Sequence, residues 1–174
     1  MKHYYCNPLN VDYLYQFNQQ GMGQQMGPVQ ISREAADPSM IYFKGKYYIF
    51  ASMTLGVWVS EDLAHWENKR LPDNLPFYDY APDVRVIGDY VYFCASTREE
   101  ICNFYRTKNI EEGPYEEIKG SFDFWDPHQF VDDDGRVYFY WGCANMTPIW
   151  GVEMDPETMH PKTERVELIY GNWN

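Results

Sequence analysis

Two aspartates in this chain stand directly before a proline and a short apolar run: Asp37 in "ADPSMIYF" and Asp126 in "WDPHQFV". Between them, "YAPDVRVI" carries Ala81 before its proline and Asp83 after it. Carboxylates far apart in sequence but brought to one mouth of a fold can do general acid–base work. Cleaving a glycosidic bond with inversion needs one carboxylate to activate water and one carboxylic acid, about 6.5–9.5 Å away, to protonate the leaving oxygen. A further carboxylate nearby raises the acid's pKa through like-charge repulsion. Tyr80 and Trp125, next to these positions, offer flat walls for a sugar ring. The competing reading is that Asp-Pro pairs cap turns, because an aspartate side chain hydrogen-bonds its own local backbone. Spacing alone leaves both readings open.

What would bring these residues together is a repeat. "ADPSMIYFKGKYYIFAS", "YAPDVRVIGDYVYFCAS" and "WDPHQFVDDDGRVYFYWG" each run from a proline through an apolar strand and a glycine turn to a tyrosine-rich strand ending in small residues. Pro38, Pro82 and Pro127 are 44 and 45 residues apart. The expected strands are Met40–Phe43, Tyr47–Ala51, Val57–Ser60, Asp83–Ile87, Tyr90–Ala95 and Val137–Trp141, punctuated by "KGK", "GD" and "DDG". Further strand-like sequence follows each unit. Ser60–Trp66 is the nearest thing to a helical turn, with Ser60 as its cap. A period of 40 to 50 residues with about four strands per repeat is the signature of β-propeller blades, which stack because one sheet cannot bury both of its faces alone. The pattern predicts an all-β chain with a single, partial propeller domain over residues 1–174. It divides into an N-terminal arm (1–30) and three blades at about 31–78, 79–122 and 123–170. Propellers usually close with four to eight blades. Three blades would leave Tyr- and Phe-rich outer faces bare, so self-association through them is expected.

Bulk properties narrow the partners. A net charge of −12 argues against nucleic acid and anionic membrane surfaces, both of which call for clustered Lys and Arg. Aromatics at 18% exceed the needs of an ordinary core and suit strands and flat ligand surfaces. Cys6, Cys94, Cys102 and Cys143 show no zinc spacing; Cys94 and Cys143 lie in apolar runs and read as buried thiols. "VDDDGR" lacks the ligand spacing of a calcium loop and reads as a hairpin turn. The first residues have neither the apolar run nor the cleavage site of a signal peptide, and no stretch approaches 18 apolar residues. With Met1 as the true start, a cytoplasmic protein is expected.

"REAADPSMIYFKGKYYIFAS", "VWVSEDLAHW", "YAPDVRVIGDYVYF", "WDPHQFVDDDGRVYFYWG" and "WGVEMDPETM" together resemble glycoside hydrolase family 43 over nearly the whole chain. The resemblance implies a five-bladed β-propeller fold, about three blades of it in this chain. It also implies an inverting, exo-acting glycosidase of the β-xylosidase or α-L-arabinofuranosidase kind, taking a plant-type oligosaccharide or an aryl glycoside. Carried over by position, it makes Asp37 the general base and Asp126 the carboxylate that tunes the acid. Tyr80 (where the family often has Trp) and Trp125 become pocket walls, Asp83 a structural hydrogen-bond partner, and Arg33 and Glu34 outer supports of the base. No cofactor is implied, although some members hold a calcium ion in the propeller axis. The family's general acid is a glutamate beyond the third blade. The chain has no match for it; "EEGPYEE" at Glu111–Glu117 is the one similar phrase, and it sits in the second repeat. The resemblance therefore implies base and modulator without the proton donor, and weak activity alone. A glycan-binding propeller without catalysis is the alternative.

Overall fold

Tight turns decide the strand pairing. Lys44 and Gly45 both have positive φ, 48° and 88°, the geometry of a type I′ hairpin whose twist matches that of its flanking strands. Gly88, at φ 59°, opens the corresponding turn of the second repeat, and Gly135, at 78°, ends that of the third. In the third turn Asp132 Oδ1 accepts the N–H groups of Asp134 and Arg136 at 3.0 and 2.9 Å. Its other oxygen pairs with the Arg136 guanidinium at 2.9 Å, so "VDDDGR" is held by local hydrogen bonds.

The structure, a computed structural model, describes residues 11, 16–18, 30–32, 35–52, 54, 56–72, 74–75, 80–96, 100–143 and 147–171. Strands β1 (Gln16–Asn18) and β2 (Gln30–Ser32) pair with each other. Then follow three four-stranded antiparallel meanders. The first is β3 (Ser39–Phe43), β4 (Lys46–Phe50), β5 (Gly56–Ser60) and β6 (Glu67–Arg70). The second is β7 (Tyr80–Ile87), β8 (Tyr90–Ser96), β9 (Phe104–Thr107) and β10 (Glu116–Ile118). The third is β11 (His128–Val131), β12 (Val137–Trp141), β13 (Ile149–Met154) and β14 (Val166–Ile169). The all-β, three-blade expectation holds. Apart from positions 11, 16–18 and 30, the N-terminal arm lies outside the described residues.

The blades meet through two cores. Ile41, Phe43, Tyr48, Phe50, Val57 and Val59 of the first pack against Val84, Val91, Phe93, Ala95 and Tyr105 of the second. Tyr92, Cys94 and Phe104, on the other face of the second, pack against Val137, Phe139, Val152 and Met154 of the third. Strand β8 thus sends alternate side chains into different cores, which is why "VYFCAS" is buried throughout and reads as a continuous apolar run. Phe124, in the crossover between second and third blades, stands 4.8 Å from Phe139 and 5.6 Å from Phe104, centroid to centroid. Each such tilted or edge-on pair adds about 0.5–1.5 kcal/mol beyond its buried area.

Two local expectations are corrected. Ser60–Trp66 forms a series of bends with no helical turn. Ser60 Oγ does cap it, accepting the Leu63 N–H at 2.8 Å, but Asp62 takes the Ala64 and His65 N–H groups, closing the chain into successive side-chain turns. Cys94 and Cys102 are buried thiols, but Cys143 is exposed. Gly142, at φ 126°, swings the chain out of β12 one residue earlier.

Candidate functional site

Each blade begins with a residue in the left-handed backbone region immediately before its proline: Asp37 at φ 50°, Ala81 at 50° and Asp126 at 51°. Such backbone costs about 1–3 kcal/mol for a residue with a side chain and persists only where its surroundings over-determine it. Because Ala81 adopts it too, the strain belongs to the blade start and is no mark of catalysis by itself. What the three starts share is convergence. Asp37, Pro38, Ala81, Pro82, Asp126 and Pro127 line one pocket of about 500 Å³, joined by Asp83, Arg85 and His128.

Hydrogen bonds running from blade to blade fix this mouth. Ser39 Oγ accepts the Val84 N–H at 3.2 Å, and the carboxylate of Asp83 accepts the Gln129 N–H at 2.6 Å. Ser39 and Asp83 each stand two residues after a left-handed blade start, so these are one latch used twice. Arg85 adds a bond from Nε to the Gln129 carbonyl at 2.7 Å. A second set comes from the ends of β4 and β8. Ser52 Oγ accepts the Ala81 N–H at 2.8 Å and donates to Asp37 Oδ2 at 3.3 Å, while Ser96 Oγ accepts the Asp126 N–H at 3.0 Å.

The two blade-start carboxylates feel each other. Asp126 is raised above its ordinary carboxylate value, first by burial and then by the negative charge of Asp37, with a hydrogen bond from Cys143 working the other way. The Cys143 thiol, though exposed overall, is pushed up in turn by partial desolvation and by Asp126. Sequence reasoning missed both Cys143 and the two serines. The repeated "AS" at the ends of "YYIFAS" and "VYFCAS" was the signal for the serines, legible only as small residues.

The remaining expected residues fall less neatly. Asp83, buried at 4% exposure, is a hydrogen-bond partner of the next blade's backbone, as its role in the pocket wall requires. Trp125 lines a second cavity, with Phe122, Trp141, Cys143 and Trp150, and Cys143 in turn bonds Asp126. The backbone of Tyr80 pairs with Ser96 in the second sheet, and its side chain lies outside the described residues, as do Arg33 and Glu34. Glu111 is remote from the pocket. Burial works against its ionisation, but bonds from Lys46 and Lys69, each at 2.8 Å, overcome this and bring its carboxyl down to about 2. It is an ionised anchor between blades, the wrong form for a proton donor. Among the described residues no group of three or more His, Cys, Asp or Glu side chains is placed to hold a metal ion.

Known proteins resemble this chain. Residues 28–174 match the family described as Glycosyl hydrolases family 43. Xylosidase/arabinosidase 43A from Humicola insolens is 28% identical, the match covering 74% of this chain and 48% of that one. The chain therefore spans about half the length of that curated relative. Among solved structures, the Bacteroides ovatus xyloglucan-locus protein GH43B superposes with a TM-score of 0.64 at 24% identity, over 79% of this chain and 31% of its own. An exo-1,5-α-L-arabinanase from a bovine ruminal metagenomic library gives 0.58 at 23% identity, over 78% and 55%. Xylan β-1,4-xylosidase from Bacillus halodurans gives 0.59 at 20%, over 79% and 32%. These likenesses show the fold.

Proposed function

The chain belongs to glycoside hydrolase family 43, and from that premise we propose that it carries the base half of an inverting, exo-acting site for xylose- or arabinose-terminated glycosides. The observation that carries this reading is the meeting of Asp37 and Asp126, 89 residues apart in sequence, in one pocket where the charge of the first raises the pKa of the second. Asp37, exposed at the mouth, is the base that takes a proton from the attacking water. Asp126, which feels the charge of Asp37, is the carboxylate that tunes the proton donor. The choice of pentose rests on the name of the Humicola insolens relative.

Among the described residues the pocket lining holds three aspartates and no glutamate. Positioned proton donation contributes about 10²- to 10⁴-fold, so unactivated oligosaccharides should turn over very slowly. Aryl glycosides, whose leaving groups depart without a proton, should suffer least.

The test is hydrolysis of nitrophenyl β-xylopyranoside and nitrophenyl α-L-arabinofuranoside by the purified chain. Slow release of nitrophenol is expected, falling by about 10²-fold or more in Asp37→Ala. Undiminished release in that variant would overturn the assignment of the base. A pocket lining without a glutamate among the described residues also fits a second reading, glycan binding without turnover. Calorimetric titration with xylose, arabinose and their short oligomers would then give saturable binding with no product.

A further inference from the structure

Ser52 and Ser96 are buried at 0% and 1% exposure, small polar residues where β4 and β8 run out beside the pocket. A buried hydroxyl persists when its bonding capacity is met, and it offers one proton and two lone pairs. Both serines spend a lone pair on the left-handed residue that begins the next blade: Ser52 on the Ala81 N–H at 2.8 Å, Ser96 on the Asp126 N–H at 3.0 Å. These bonds help hold backbone that would otherwise relax. Ser52 does something more. With the Ala81 N–H donating to its oxygen, its own hydrogen is free to turn the other way, and there it meets Asp37 Oδ2 at 3.3 Å. The Ser52 backbone N–H in turn donates to the Ala36 carbonyl at 2.8 Å, fixing the serine against the segment that carries the aspartate.

We propose that Ser52 is a positioning residue for Asp37. It anchors one carboxylate oxygen, leaves the other for the pocket, and ties that orientation to the docking of the second blade on the first. Ser96 holds the backbone of Asp126 in the same manner one blade further on, so the pair of serines sets how the two carboxylates face each other. An alanine at position 52 would leave both the Ala81 N–H and the carboxylate without their partner. A threonine keeps the hydroxyl.

This proposal rests on Asp37 being the base, and two measurements keep the two ideas separable. The first is steady-state hydrolysis of nitrophenyl xyloside and arabinofuranoside by Ser52→Ala and Ser52→Thr in the full chain. Ser52→Ala is expected to lower kcat about tenfold with KM within about twofold, and Ser52→Thr to recover most of the loss. The second is a double-mutant cycle of Ser52→Ala with Asp37→Ala, read as urea unfolding and independent of activity. Ser52→Ala should shift the unfolding constant about fivefold more when Asp37 is present than when it is absent. A wild-type kcat in Ser52→Ala, or additive effects on unfolding, would overturn the proposal. If the wild-type chain hydrolyses neither substrate, the catalytic reading falls, and the cycle still decides whether Ser52 holds the carboxylate.

Discussion

At Asp126 the geometry sets a pH dependence whose sign can be worked out. Burial first, and the charge of Asp37 second, lift this carboxyl above its ordinary value of 3.8. A group whose folded pKa lies above its unfolded one binds its proton more tightly in the folded chain, so ionising it destabilises the fold. The penalty is absent below the unfolded value and complete once the pH has risen above the folded one. Asp126→Asn removes the ionisation altogether. Thermal melts should therefore show the variant more stable than wild type at pH 7, with the two midpoints converging as the pH falls toward 3. A midpoint difference that is the same at both pH values would rule out the carboxyl's titration as its source. In an Asp37→Asn background the gain from Asp126→Asn should be smaller, since part of the penalty comes from Asp37.

The elements are joined by a latch that differs in strength between its two uses. Where Ser39 accepts the Val84 N–H, the bond is neutral and 3.2 Å long; where Asp83 accepts the Gln129 N–H, it is charge-assisted and 2.6 Å. Hydrogen bonds to charged groups contribute about 1.5–3 kcal/mol, and neutral ones about 1. Asp83→Ala should therefore cost about 2–3 kcal/mol in urea denaturation and Ser39→Ala about 1. Equal costs would show that the carboxylate has no special part in joining the second and third blades. This division of labour explains how much the sequence disclosed. Proline, turn glycine and aromatic alternation lie close together within each unit and recur in the same order in all three, so strands such as β3, β8 and β12 could be placed from pattern, and the two Asp-Pro phrases with them. Ser52 and Ser96 could not, because their partners Ala81 and Asp126 lie 29 and 30 residues onward in the next sheet. Cys143 was misread for a local reason: "FYWGC" continues an apolar run, and only the positive φ of Gly142 shows the strand ending before it.

Over the whole molecule, stacking three blades covers both faces of the middle sheet and one face of each outer sheet. On the first blade Met40 and Tyr42 are left 54% and 59% exposed. On the third, Phe130, Val166, Leu168 and Tyr170 are 44–60% exposed, and Ile169 is 67%. Exposed apolar side chains are unremarkable singly, but contiguous patches on sheet faces mark surfaces that associate. These two patches lie at opposite ends of the stack, so a contact between them would be head to tail, giving a closed ring or an open polymer according to the angle between copies. Self-association that grows with concentration is therefore the expected outcome in sedimentation velocity. Because the contact is heterologous, damage to either end should suppress it: Tyr42→Glu alone, or Phe130→Glu with Leu168→Glu, should each return the chain toward monomer. Mixing a Tyr42→Glu chain with a Phe130→Glu, Leu168→Glu chain should then restore dimers and nothing larger, since each partner keeps one intact face. Association that survives in both variants would place the contact elsewhere. A wild-type chain that stays monomeric at every concentration would show that the blade faces remain bare without associating.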